Sequence, residues 1–258
     1  MIANYHTHTV RCNHAGGTEK EYVEAAIEKG FEILGFSDHT PQPYPPEYRS
    51  RIRMGMEELD DYTETLLKLR KEYKDDIKIL IGLEAEYSVH YFEKLLDTVL
   101  TYPIDYLILG QHYVPDEVDG FYAGTETDEE TKLRAYVDAA IAGMETGKFT
   151  YLAHPDLIRY TGSDAVYFSH MTRLIEASMR LNIPLEVNMY GFVGGRWYPS
   201  DRFYSLASVM GAQFVIGCDA HNPKIILQPE DIPGFMPFLI RNGITVGDNL
   251  VELRTLRG

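Results

Sequence analysis

The chain has 258 residues, 45% hydrophobic and 24% charged, a balance that suits a globular protein with a large core and excludes disordered and collagen-like classes. A formal net charge of −15 sets most of the surface against a phosphate backbone, so no stable nucleic-acid partner is expected and a small anionic substrate would need local positive charge. Cys12 and Cys218 are too few for a disulfide framework, and with no basic, apolar leader in MIANYHTHTV and no apolar run of bilayer length, a reducing cytoplasmic location away from membranes is expected.

Short apolar runs alternate with helical periodicity along the whole chain. A strand at 2–5 precedes a helix that opens on Thr18-Glu19-Lys20-Glu21, the spacing of a capping box, and continues through Tyr22, Val23, Ala26 and Ile27 to Gly30. A strand at 33–36 leads into a turn-rich stretch, 40–53, whose Pro41, Pro43, Pro45 and Pro46 predict a rim or lid. Periodicity then gives helix 59–73, strand 77–83, helix 92–100, strand 106–109 and helix 129–147. Strand 150–153, helix 165–181, strand 184–187, helix 202–210, strand 214–217 and helix 232–241 complete the chain. Strands that each precede a helix predict one α/β domain over 1–258, its mostly parallel sheet closed as a barrel or open and doubly wound. The first turn reads HTHTVRCNHAGG rather than a glycine-rich dinucleotide fingerprint, which weakens the doubly wound nucleotide fold.

The polar residues fall at the strand ends. His6 and His8, then Asp38 and His39, Glu84, Gln111 and His112, His154 and Asp156, Asn188, and Asp219 and His221 follow the successive strands, and His14 lies in the first loop. In a β/α barrel these ends converge on one face, where catalytic groups sit. One histidine near a strand end is usually a hydrogen-bonded structural residue; six such coincidences are not expected by chance. Imidazole and carboxylate together suit zinc, iron or manganese, and so many ligands exceed one ion's coordination. A cluster of divalent ions is expected.

These motifs, in order His6-Thr7-His8, His14 in RCNHAGG, Phe36-Ser37-Asp38-His39, Gly82-Leu83-Glu84, Gly110-Gln111-His112, Ala153-His154-Pro155-Asp156 and Cys218-Asp219-Ala220-His221, resemble those of the PHP (polymerase and histidinol phosphatase) family. The resemblance spans nearly the whole chain and implies a distorted (β/α)7 TIM-like barrel with three divalent transition-metal ions. It implies that His6, His8, Glu84 and Asp219 hold the first ion, that Glu84 bridges to a second held by His112 and His154, and that His14, His39 and His221 hold the third. Glu84 is taken over its neighbour Glu86 because it follows Gly-Leu as the family's bridging glutamate does; Glu86 is expected behind the ligands or at the surface. RCNHAGG, SDHTP and HPDLIRY look like the free-standing histidinol phosphatases, which implies hydrolysis of L-histidinol phosphate to L-histidinol and phosphate, a step of histidine biosynthesis.

The expected mechanism has a hydroxide shared by the first two ions attack phosphorus in line, with Glu84 and Asp219 as the catalytic carboxylates. Arg159 and Arg196 are candidate phosphate clamps, the alternative for each being a solvated loop arginine; Arg11 is a third, which could instead shape the first turn. The leaving-group acid is left among a bound water, Asp38 and Asp156, and the acidic run Asp116, Glu117 and Asp119 could meet the substrate's amine or be solvated surface. Cys12 lacks the phosphate cradle of a cysteine phosphatase, so a structural part is expected. The rival readings are a phosphoesterase acting on nucleotides or short oligonucleotides, an amidohydrolase, for which no strand-end lysine is present, and a non-catalytic metal-binding protein.

Overall fold

The structure, a computed structural model, describes residues 1–256; the last two residues of the expected 1–258 domain lie outside the described part. Its strands are β1 (Ala3–Asn4), β2 (Ile33–His39), β3 (Lys78–Ala85), β4 (Tyr106–Leu109), β5 (Tyr113–Val114), β6 (Phe121–Tyr122), β7 (Phe149–Leu152), β8 (Leu185–Asn188) and β9 (Phe214–Gly217). Seven of them form one parallel sheet in the order β1-β2-β3-β4-β7-β8-β9, while β5 and β6 pair as an antiparallel hairpin outside it. Spatial order that follows chain order, with a helix in nearly every crossover, is what a singly wound barrel requires, and it excludes the doubly wound alternative. The helices are α1 (Glu19–Glu28), α2 (Leu59–Glu72), α3 (Phe92–Val99), α4 (Glu130–Glu145), α5 (Asp164–Leu181), α6 (Met189–Val193), α7 (Asp201–Met210) and α8 (Phe235–Arg241).

The barrel is nearly closed. Beyond the strand ladders, Thr7 bridges to Ala220, and the Asn4 side chain accepts from the Cys218 amide at 2.9 Å. Asn249, from the C-terminal tail, inserts its amide across the same seam, donating to the carbonyls of Ala3 (2.8 Å) and Ile216 (2.7 Å) and accepting from the Ile216 amide (2.7 Å). Backbone groups that would otherwise be orphaned at two strand edges are thereby satisfied.

Period-2 alternation sets what fills the interior. Leu80, Tyr106, Ile108, Tyr151 and Val215 form, with Ala3, Tyr5 and Ala153, an apolar cluster separate from the large core beneath the helices. Tyr106 crosses this interior, its hydroxyl donating to the carbonyls of Tyr5 (2.6 Å) and Phe36 (3.1 Å). On β3 the same face runs from Leu80 past Gly82 to Glu84, and β8 turns Glu186 inward, both carboxylates buried, so an apolar floor gives way to a polar layer toward the C-terminal face.

The capping box of α1 forms as its spacing predicts, Thr18 and Glu21 each accepting the other's amide hydrogen. β2 runs three residues past its expected end because it pairs in full register with β3, which brings His39 opposite Glu84. The β5–β6 hairpin and α6 have no counterpart in the sequence pattern, since two-residue strands and a five-residue helix are too short to show a period. Among the described residues no helix is long and apolar enough to cross a membrane.

Candidate metal centre

Strand ends carry the cluster because each strand stops as its side chains reach the polar layer. His154 (φ 30°) and Asp219 (φ 49°) occupy left-handed backbone, which costs a non-glycine residue about 1–3 kcal/mol and turns each side chain inward. Gly110 and Gly217 give room on the neighbouring strands: a Cβ at the first would collide with the Glu84 carboxylate, and at the second with that of Glu186.

All nine expected ligands meet here. The candidate ligand atoms of His6, His8 and Asp219 lie within 4.8 Å of one another, as do those of His6, Glu84 and His154, and those of His14, His39 and His221. Glu84 is central, with Oε2 at 2.8 Å from His39 Nδ1 and 3.6 Å from both His6 Nε2 and His8 Nε2. Its Oε1 lies 2.8 Å from His154 Nε2 and 3.7 Å from His112 Nε2. Asp219 Oδ1 stands 3.0 Å from His8 Nε2 and 3.4 Å from His6 Nε2.

Glu84 Oε1 and His154 Nε2 share a hydrogen bond, but five of the converging atoms make none. His6 Nε2, His8 Nε2, His39 Nδ1, Glu84 Oε2 and Asp219 Oδ1 are all buried without a hydrogen-bond partner. Buried polar atoms left unpaired cost too much to be incidental, and lone pairs aimed at common points from imidazole and carboxylate fit divalent ions. The donor set therefore suits a multinuclear metal site.

The other ring nitrogens are held from behind. His6 Nδ1 donates to Glu186 at 2.7 Å, His8 Nδ1 lies 3.3 Å from Asp38, and His112 Nδ1 lies 3.1 Å from Glu86. Such carboxylates set the tautomer and aim of a metal-ligating histidine. Glu86 thus stands behind a ligand, buried rather than at the surface. Burial alone would lower His6, yet Glu186, Asp219 and Glu84 outweigh it and hold its pKa up to about 10. Burial pushes Glu84 and Asp219 up, but the surrounding imidazoles dominate and keep both well below the usual carboxylate range. His221, buried and beside His8, is driven down to about 3.

A cavity of about 320 Å³ opens over the cluster, walled by Ile52, Tyr113, Tyr122, Leu157, Tyr190, Arg196 and Tyr198. Arg196 stacks on Tyr190 at 4.7 Å and borders this cavity. Arg159 does not line it: its guanidinium sits over Trp197 and pairs with Glu126 at 2.9 Å, which takes it out of the clamp as it stands. Arg11 shapes the first turn, bound to Glu19 and Asp61. Asp38 and Asp156 also lie off the cavity. Asp38 accepts from the His39 amide (2.8 Å), and Asp156 accepts from the Ser200 amide (2.7 Å) at the start of α7, so neither reaches a leaving group from its place. Asp116 caps its own turn through the amides of Val118 and Asp119, and Glu117 is taken up by Tyr48, Ser50 and Arg53. Cys12 is buried with its sulfur near His8 and His221, within the cluster rather than at the cavity wall.

Sequence reasoning missed Glu186, the tyrosine walls and Arg53. Glu186 alone left a signal, a carboxylate between Leu185 and Val187 in an otherwise apolar strand.

A family model described as PHP domain matches residues 4–190, well over half of the chain. A curated "Probable histidinol-phosphatase" from Deinococcus radiodurans is 29% identical over 232 residues, covering 86% of this chain and 87% of its own. The "Histidinol-phosphatase" of Bacillus subtilis is 32% identical over 133 residues, 49% of this chain and 48% of that one. The crystal structure of histidinol phosphate phosphatase from Lactococcus lactis subsp. lactis, complexed with zinc, L-histidinol and phosphate, superposes with a TM-score of 0.70 at 20% identity, over 97% of this chain and 98% of that one. The likeness establishes a shared distorted barrel.

Proposed function

The chain belongs to the PHP family as a metal-dependent phosphoesterase, and we propose that its reaction is the hydrolysis of L-histidinol phosphate to L-histidinol and phosphate. The observation that carries the catalytic reading is the set of buried, unpaired nitrogen and oxygen atoms converging beneath the cavity. In this reading His6, His8, Glu84 and Asp219 would hold one ion, Glu84 would also serve a second with His112 and His154, and His14, His39 and His221 would hold a third. The reading keeps 1–258 as one functional domain, and its extension past the family-matched span is supported by Asp219 and His221, which follow β9.

Divalent zinc, iron or manganese bound there would bring water to hydroxide near neutral pH and offset charge on the phosphoryl oxygens. Glu84 and Asp219, kept ionised by their histidine neighbours, supply the anionic ligands such ions need. Arg196, at the cavity wall with its charge held over Tyr190, would meet a phosphoryl oxygen in this reading. The tyrosine faces suit an imidazole and an ammonium, through stacking and cation–π attraction, in place of the acidic loop that sequence alone offered. Neither Cys12 nor Ser37 lines the cavity, so no side-chain nucleophile enters the scheme.

The substrate assignment is supported by the names of the relatives and by a cavity scaled to a small leaving group. Comparing kcat/KM for L-histidinol phosphate with nucleoside monophosphates and simple aryl phosphates tests it, with a preference of about 100-fold expected. Equal or better turnover of nucleotides would move the chain to the nucleotide-directed reading. Bound metal with no turnover of any phosphomonoester would make it a binding protein.

A further inference from the structure

Arg53 lies in the proline-rich stretch, away from every expected ligand, yet it is 2% exposed and touches the cluster's supports on two sides. Its Nη2 donates to Glu86 Oε1, the same oxygen that receives His112 Nδ1 at 3.1 Å. Its Nε donates to Glu117 at 2.8 Å, and Glu117 also takes the hydroxyls of Ser50 (2.8 Å) and Tyr48 (3.1 Å) from the same stretch. Its carbonyl accepts from the Asn13 side chain at 3.0 Å, one residue before His14 and in the left-handed turn (φ 68°) that sets where His14 begins. Next to it, Ile52 walls the cavity.

We propose that Arg53 is a positioning residue: seated on the proline-rich stretch, it holds Glu86 so that Glu86 fixes the His112 ring toward Glu84, and it holds Asn13 so that His14 is presented to its partners. The stretch is then more than a cover over the cavity. Its docking through Glu117 and the aim of two ligands, His112 and His14, that both flank His39 are one event, because a single guanidinium and the carbonyl of the same residue make all three contacts. A buried ion pair that merely pinned a loop would leave metal affinity untouched, and that difference is measurable.

This inference rests on the metal-cluster reading above. Arg53→Met and Glu86→Gln proteins, with the exposed Arg180→Met as control, are loaded with zinc and titrated with a chelator, and zinc is counted per chain. Zinc affinity at the His112 ion is expected to fall about 10- to 100-fold in both variants and to stay native in the control. The double variant should be no weaker than the worse single one, because both break the same relay. With L-histidinol phosphate the loss should fall on kcat more than on KM. Native zinc affinity in a folded Arg53→Met protein, or fully additive losses, overturns the proposal while leaving the metal cluster standing. A native protein that takes up no zinc, iron or manganese removes both. Should Arg53→Met fail to fold, Arg53→Lys, which keeps the charge but has one ammonium in place of the fork that reaches Glu86 and Glu117 together, carries the same expected loss, and native zinc affinity there overturns the proposal.

Discussion

The inner and outer halves of the cluster are held in different ways. Inside, His6 and His8 are fully buried and each has a carboxylate behind it, Glu186 and Asp38. Outside, His14 is exposed and rests its Nδ1 on the Cys12 carbonyl at 2.7 Å, while His221 rests on the Asp219 carbonyl at 3.0 Å. A full negative charge behind an imidazole raises its basicity more than a carbonyl dipole does. Glu186, Asp219 and Glu84 together hold His6 up to about 10 despite burial, whereas burial and the charge on His8 drive His221 down to about 3. One residue type becomes a strong or a weak base according to the charges packed around it, three carboxylates at His6 against burial and a neighbouring imidazole at His221, so the inner half should grip a cation more tightly.

The largest test removes what joins the halves. Glu84→Gln should lower kcat/KM on the order of 10²–10³-fold and cost bound metal, since Glu84 approaches His39 from one oxygen and His154 from the other. Unchanged metal content would show that the halves do not share it. A smaller effect separates them: chelator titration should strip the ion on His14, His39 and His221 first, and Glu186→Gln should weaken only the inner affinity, by about 10- to 100-fold. Ions leaving together at one affinity would erase the contrast.

The smallest effect is on the melting temperature of the metal-free protein as pH changes. His6 has a folded pKa of about 10 against an ordinary 6.5, so its contribution is fully present below 6.5 and is lost as pH rises through 10. His221, at about 3, contributes above 6.5 and loses that as pH falls toward 3. The metal-free protein should therefore melt highest near pH 6.5 and fall by a few degrees on either side, and bound metal should flatten the curve. A steady trend from pH 4 to 9 would contradict the opposed halves.

The ligands were legible because their signal is local. A histidine or acid directly after an apolar run marks a strand end whatever the run's neighbours are, and His6, His39, Glu84, His112, His154 and Asp219 all carry that mark. The helices read well for the same reason, as the Thr18–Glu21 box shows. Glu186 was passed over because it sits in mid-strand, where only the barrel's curvature turns one face into a polar interior. Arg159 and Arg196 are alike in sequence, both loop arginines after a strand, and only packing sends one onto Trp197 beside Glu126 and the other to the cavity wall.

By itself the sequence determined the alternating β/α order, the strand ends and first loop that carry the nine candidate ligands, and through them the expectation of a metal cluster in a seven-stranded barrel. Only the tertiary structure decided that Asn4 and Asn249 close the seam, that Glu186, Asp38 and Glu86 stand behind the histidines, and that tyrosines rather than acids wall the cavity. The reason is physical. Periodicity and strand ends follow from the geometry of a single chain segment, whereas a partner across the barrel, such as Glu186 to His6 over 180 positions, exists only once the sheet has curved and closed.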